Sequence, residues 1–163
     1  MRKVLLVLAV GFVIAAFFGL HWAILTGRAK RQRADAEYYA LQNLRGIYHA
    51  ERQYYANHEF LGFTCALSTL GGKPDQFLDD TLASGHAGGY TFTLSNCKHE
   101  ENVGFNGNLT YLTASPDPGS PFPLRTFCVE DDVDSIPRGE VIFDHPQILA
   151  SAPGSSTCTQ PLQ

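Results

Sequence analysis

The side chains in this sequence best suited to chemistry are four cysteines, Cys65, Cys97, Cys128 and Cys158. Their number is even, no two of them form a C-x-x-C pair, and no histidines accompany them at zinc-finger intervals. Thiols in this pattern favour disulfide bonds over a metal site, and disulfides persist in oxidising compartments. The cysteines therefore predict that the part of the chain carrying them lies outside the cytoplasm.

An acidic cluster is the second candidate, because Glu130, Asp131, Asp132 and Asp134 fall within five residues. Calcium takes about six to eight oxygen ligands, and carboxylates grouped on one loop can supply several of them. The spacing is not that of an EF-hand, and Arg138 can neutralise the cluster. A solvated acidic turn is therefore the favoured interpretation, and calcium is retained as the one candidate cofactor.

Catalysis is not predicted from the remaining polar residues. Serines occur without a G-x-S-x-G elbow, histidines without H-E-x-x-H spacing, and no glycine-rich phosphate loop opens a helix. A cysteine nucleophile would need a free thiol and a paired histidine, which the even cysteine count argues against. We therefore expect the protein not to be an enzyme.

The elements that position these residues begin with Val4–Leu25, a stretch of 22 residues without a charge. At about 1.5 Å rise per residue, a helix of that length crosses a hydrocarbon layer of about 30 Å. A cleaved signal peptide is the alternative, but its apolar region usually spans about 7–15 residues, and no A-x-A site follows here. We predict a single-pass anchor that stays attached, with the mature chain beginning at or near Met1.

Charge divides the chain into an anchor, residues 1–33, and a domain, residues 34–163. The anchor has six basic side chains and no acid, whereas the domain has six basic against 16 acidic side chains, a net charge of −10. So acidic a domain repels phosphates, which argues against nucleic acid as a partner. The basic cluster at 28–33 favours membrane lipid as a partner, through anionic headgroups. The balance of basic residues across the span does not decide its orientation.

The helix is predicted to continue through Ala34–Tyr55 as a polar, amphipathic segment. A mostly apolar stripe at steps of three and four residues needs a partner surface, and we expect that surface to be a β-sheet. Gln42 is predicted to lie on the opposite, exposed side. The stripe comprises Tyr38, Leu41, Leu44 or Arg45, Tyr48, Glu51 or Arg52, and Tyr55.

Downstream, the pattern predicts a short helix over Lys73–Gly85 and then strands with turn-rich connections. Strands without intervening helices indicate an antiparallel meander, so the fold class is α+β, with a long N-terminal membrane-spanning helix packed on a small sheet. The tail from Asp144 to Gln163 is predicted to be loop-like. The predicted strands are Tyr90–Cys97, Leu109–Ala114, Leu124–Glu130 and Glu140–Phe143.

This arrangement selects two disulfides, Cys65–Cys97 and Cys128–Cys158, from three possible pairings. Cys65 follows the long helix, and Cys97 ends the first strand, which we expect to pack near the end of that helix. Cys128 lies on the third strand, and the tail carrying Cys158 returns beside it. Each bond closes a loop of about 30 residues and stabilises the fold by roughly 3–4 kcal/mol in the chain-entropy model.

Several local phrases of the sequence carry a family resemblance: NLRGIYHAERQYY at 43–55, GFTCALSTLGG at 62–72, LASGHAGGYTFTLSNC at 82–97, RTFCVED at 125–131 and TCTQPLQ at 157–163. With these phrases the chain resembles type IV pilin-like proteins and type II secretion pseudopilins. The resemblance covers roughly residues 34–163, and the order helix, loop, short helix, meander is that of a pilin head. It implies a bacterial inner-membrane protein whose head faces the periplasm or the exterior, with other pilin-like subunits or secretion components as partners.

The anchor departs from that family. Pilins have a glycine at the prepilin peptidase site, then a phenylalanine, and a glutamate five residues into the mature chain. Here Gly11–Phe12 is the nearest counterpart, and the fifth residue after Gly11 is Ala16. We therefore expect a membrane-fixed structural or interaction protein with a pilin-like head, associated with a pilus or secretion machine. The alternative is a membrane-tethered binding or sensory domain without an assembly role.

Overall fold

The computed structural model describes residues 2–58, 63–64, 66–73, 76–95, 110–131 and 148–162. Three helices and six strands lie within those ranges. In chain order they are α1 (Arg2–Asn57), α2 (Leu67–Leu70), α3 (Asp80–Ala83), β1 (His86–Ala87), β2 (Tyr90–Ser95), β3 (Thr110–Pro116), β4 (Phe127–Asp131), β5 (Ile148–Ser151) and β6 (Cys158–Pro161).

The chain forms two compact units, Met1–Asp35 and Ala36–Gln163. The first consists of the N-terminal part of α1. The second contains the rest of α1, the two short helices and all six strands. The strands form one antiparallel sheet in the order β1-β2-β3-β4-β5-β6, so each strand pairs with its neighbour in sequence. The predicted combination of a long N-terminal apolar helix with an antiparallel meander, an α+β architecture, is confirmed at this level.

The C-terminal part of the sheet differs from the prediction. Residues 148–151 and 158–161 form β5 and β6, although the tail was expected to be loop-like. These strands are only four residues long, and β5 consists of Ile, Leu, Ala and Ser, so local pattern is a weak signal for them. Their pairing with β4 and with each other decides their conformation. The predicted strand Glu140–Phe143 lies outside the described residues.

The core of the second unit is a set of cross-strand rows that face α1. One row joins Phe92, Ala114, Phe127 and Ala150, which are direct partners across β2, β3, β4 and β5. Large and small side chains alternate along it, so the buried Phe127 ring lies between two alanines. These residues belong to the same apolar cluster as Leu44 of α1, as predicted for the helix stripe.

The predicted stripe is buried over its central part, at Leu44, Tyr48 and Glu51, but its start is wrong. Tyr38 is 58% exposed, and the buried series begins instead at Glu37 and continues through Ala40. Glu37 was not predicted because an apolar pattern excludes charged residues. The structure buries Glu37 and Glu51 because each finds a hydrogen-bond donor.

The short helix predicted over Lys73–Gly85 is wrong in its extent. Within its described residues, only Asp80–Ala83 is helical. Asp79 has an extended backbone (φ −67°, ψ 158°), and its side chain accepts a hydrogen bond from the Leu82 N–H, so it caps the helix at that point. Before the cap, the Phe77 and Leu78 N–H groups donate to the Leu70 carbonyl at the end of α2. These bonds hold the segment that precedes the cap against α2.

Candidate functional site

Among the described residues, the longest run of exposed apolar side chains lies on α1 in the first unit. From residue 11 to residue 25 every side chain is exposed, with Phe12 at 76% and Trp22 at 72%. By length and composition, the helical segment Gly11–Asn57 is the one candidate membrane span among the described residues, with a mean hydropathy of 1.5 in its most apolar window. A signal sequence near an N-terminus meets the same criterion, so this is a coarse indication. Exposing an apolar surface of this size to water is unfavourable in free energy, so we expect it to be buried against a membrane or a partner.

This helix also carries a ladder of small residues that was not predicted. Gly11, Ala15, Gly19, Ala23 and Gly27 recur every fourth position. A Cβ placed on any of the three glycines would meet nothing within 4 Å. In bilayers, small residues four apart let two helix backbones approach closely and cross at about −40°. The signal was present in the sequence as the spacing of glycines, which the charge and hydropathy patterns do not weigh.

In the second unit, Glu37 and Arg125 form a forked ion pair between α1 and the segment that enters β4. Nε and Nη2 of Arg125 donate to Oε2 of Glu37 at 2.9 and 2.8 Å, and the Arg125 backbone N–H donates to Oε1 at 3.3 Å. The guanidinium also lies 5.6 Å from the centroid of the Phe127 ring. Tyr90 reinforces the same segment by donating its hydroxyl hydrogen to the Arg125 carbonyl. These contacts hold α1 against the segment that enters β4.

Near the C-terminal end of α1, Glu51 is a buried acid with one unpartnered oxygen. The residue is 3% exposed, and its Oε2 accepts a hydrogen bond from the Thr64 backbone N–H at 3.0 Å. No group hydrogen-bonds to Oε1 in the described part of the chain. Burial raises the pKa of the Glu51 carboxyl from 4.5 to about 8, against the smaller lowering effect of the Thr64 hydrogen bond. At neutral pH the group is therefore mostly a neutral carboxylic acid that ties residues 63–64 to the helix.

A shallow pocket of about 320 Å³ lies between the loop after β3 and the loop after β5. Its lining includes Asp117, whose Oδ1 accepts a hydrogen bond from the Thr91 hydroxyl at 2.6 Å. His86 Nδ1 lies 3.1 Å from that same hydroxyl and 3.9 Å from the carboxylate. The threonine stands between the other two residues, so this is not the order in which a histidine activates a nucleophile for acyl transfer. The remaining lining is mainly serine, glycine and apolar side chains.

The structure reaches only part of the predicted calcium site. Glu130 and Asp131 are the last two residues of β4. Asp132 and Asp134 lie outside the described residues. Within the described ranges, no group of three histidine, cysteine, aspartate or glutamate side chains is placed to hold a metal ion. The calcium hypothesis stays a prediction.

One predicted disulfide is present. Cys128 and Cys158 are bonded, with their Cα atoms 6.1 Å apart and a sequence separation of 30. The bond joins β4 to β6, which flank β5 on its two sides. Cys65 and Cys97 lie outside the described residues, so their pairing remains a prediction.

Comparisons of the chain with protein-family models, with curated proteins and with solved structures find no match. No family is identified. The similarity to pilin-like proteins therefore remains an interpretation of the sequence phrases and of the order of the elements.

Proposed function

We propose that this protein is a single-pass membrane protein with a structural or interaction role, and that its sheet domain is a pilin-like head outside the cytoplasm. The observation that carries the proposal is the exposed apolar segment of α1. Fifteen consecutive exposed residues, 11–25, contain no charged side chain, and the uncharged run in the sequence extends back to Val4. A bilayer is the environment that covers such a surface on all sides of a helix at once.

The placement of the head follows from its disulfide chemistry. The bond between Cys128 and Cys158 supports folding in an oxidising compartment, because cytosolic thiols are normally kept reduced. In a bacterium that compartment is the periplasm or the exterior, and the anchor then lies in the inner membrane. The head shares with pilin heads a long helix packed on an antiparallel meander.

An assembly role is supported by the ladder of small residues in the apolar segment. An isolated anchor needs only apolar side chains, whereas a stripe of glycine and alanine provides a close-packing surface for another helix. The partners proposed are other pilin-like subunits or components of a secretion or pilus machine.

The experiment is site-specific crosslinking of the full chain in native membranes. Resistance to alkaline extraction tests the span, and crosslinked ladders or co-purified membrane components test the assembly. Gly19→Leu should weaken the crosslinks by filling the ladder, while Phe17→Leu is the matched control, since its side chain points about 200° away around the helix. Extraction into the soluble fraction would refute the span.

The alternative function, a tethered binding domain, is favoured by one observation, the pocket that contains Asp117. Its volume lies at the lower end of the range of about 300–1,000 Å³ typical of small-molecule sites, but it is open to solvent. A protein that resists extraction yet remains monomeric in native membranes, with Gly19→Leu behaving as wild type, would favour this alternative.

A further inference from the structure

The last turns of the first unit combine an aromatic side chain with a group of cations. Trp22, the one tryptophan in the chain, is exposed, and so are Arg28, Lys30 and Arg31. In the described part of the chain these three cations take part in no salt bridge. The first acid in the sequence is Asp35, beyond the group. The cations are therefore available to an external anion.

Helix geometry places these residues at defined depths in a bilayer. If the uncharged run Val4–Leu25 is centred in the membrane, Trp22 lies about 11 Å from the midplane at 1.5 Å per residue. The hydrocarbon boundary lies at about 15 Å, so Trp22 falls just inside it, near the level at which aromatic belts occur. On the same scale Arg28 lies at about 20 Å and Arg31 at about 25 Å. Long basic side chains can extend back several ångströms, which brings their charges to the level of the lipid phosphates.

The three cations lie within one broad arc of the helix surface. At about 100° per residue, Arg31 lies about 60° from Arg28, and Lys30 lies about 160° from Arg28 in the same direction, so Arg31 stands between the other two. Their depth, at the level of the lipid phosphates, favours lipid headgroups as the anion. Headgroups surround a membrane helix, so they reach all three charges.

We infer that Trp22 and the basic cluster of Arg28, Lys30 and Arg31 set the depth of the helix and select anionic phospholipids at the membrane surface nearest the head. The ligand chemistry is the phosphate of an anionic lipid headgroup within a bilayer. This inference rests on the proposed membrane span and adds to it the identity of the surrounding lipid. Each basic residue near an anionic surface corresponds to a factor of about five in affinity.

The single tryptophan makes the test direct. The full chain is reconstituted in vesicles of zwitterionic phosphatidylcholine mixed with anionic phosphatidylglycerol, and one of the two lipids is brominated at a time. Bromine quenches tryptophan fluorescence on contact, so the relative quenching of Trp22 reports which lipid surrounds it. A series with bromines at different acyl positions reports its depth, and the strongest quenching is expected from bromines about 11 Å from the midplane.

We expect a preference of about fivefold or more for the anionic lipid, reduced to within about twofold by the triple variant R28Q/K30Q/R31Q. Arg45→Gln, an exposed basic residue further along α1, is the matched control and should keep the wild-type preference. About 1 M salt should weaken the preference in the wild type, because the screening length falls to about 3 Å. Added inorganic phosphate at low concentration should not compete.

Equal quenching by both lipids in the wild type would overturn the inference while leaving the membrane span intact. A preference that persists unchanged in the triple variant would also overturn it. Absence of quenching by either lipid would refute the span itself, and with it the proposed function.

Discussion

Replacing Glu51 by glutamine tests whether a buried neutral acid controls the stability of the second unit. The Glu51 pKa rises from 4.5 to about 8 because its carboxyl is buried. Between these values the folded state holds one proton more than the unfolded state, so the free energy of unfolding falls as pH rises. Each pH unit corresponds to about 1.4 kcal/mol, so at pH 7 the free energy of unfolding is about 3.4 kcal/mol lower than it is below pH 4.5. The contribution of the protonated Glu51 carboxyl to stability is fully present below pH 4.5 and is lost as pH rises through 8.

The assay is chemical unfolding of the full chain in non-ionic micelles, followed by circular dichroism from pH 5 to pH 8. Glu51→Gln keeps an oxygen that can accept the Thr64 N–H hydrogen bond and removes the titration, so we expect its pH slope to be shallower by about 1 kcal/mol per unit. The unpartnered amide hydrogens of glutamine cost about 1–3 kcal/mol, so the slope is a sharper readout than absolute stability. Asp35→Asn, at an exposed carboxylate, should leave the slope unchanged. Identical slopes in Glu51→Gln and the wild type would refute the reasoning.

Three further predictions concern the same domain. Leu44→Ala should destabilise the domain by about 2–5 kcal/mol, because the Leu44 side chain is fully buried. Gln42→Ala, on the exposed side of the helix, should destabilise it by no more than about 0.5 kcal/mol. Equal effects of the two substitutions in thermal melts would contradict the placement of the helix. Glu37→Ala should lower the free energy of unfolding by about 1–3 kcal/mol in the same melts. This is less than for a fully buried ion pair, because the Arg125 side chain is 35% exposed and its guanidinium can reach water. An unchanged melting midpoint would show that the ion pair does not hold the helix. Non-reducing peptide mapping should recover a Cys65–Cys97 peptide, and four alkylatable thiols in native protein would contradict the compartment assignment.

Part of the fold was readable because it depends on local pattern. Strand β2 was predicted from the alternation of Tyr90, Phe92 and Leu94 with polar residues, and it is present as Tyr90–Ser95. The small helix failed for the opposite reason. Its start depends on which of several nearby carboxylates caps it, and Asp79 does so by accepting from the Leu82 N–H. The segment before the cap is bonded to the end of α2, a contact that periodicity does not predict.

The candidate site shows the same division. The Cys128–Cys158 bond was predicted from the order of the elements, because four thiols allow three pairings and the tail that carries Cys158 was expected to return beside the strand that carries Cys128. The ladder that begins at Gly11 was also present in the sequence, as spacing. The protonated state of Glu51 was not, since a glutamate on a polar helix is normally exposed and ionised.

The sequence by itself determined that the first third of the chain is one long helix with an uncharged, apolar start, because hydropathy and the absence of proline act locally along the helix. Only the tertiary structure decided how the buried glutamates of that helix are satisfied and what the tail becomes. Glu37 and Glu51 are buried because donors on other segments meet them, and β5 and β6 form because β4 offers an edge to pair with. Desolvation of a charge and completion of a sheet both depend on groups distant in sequence, so no local pattern contains them.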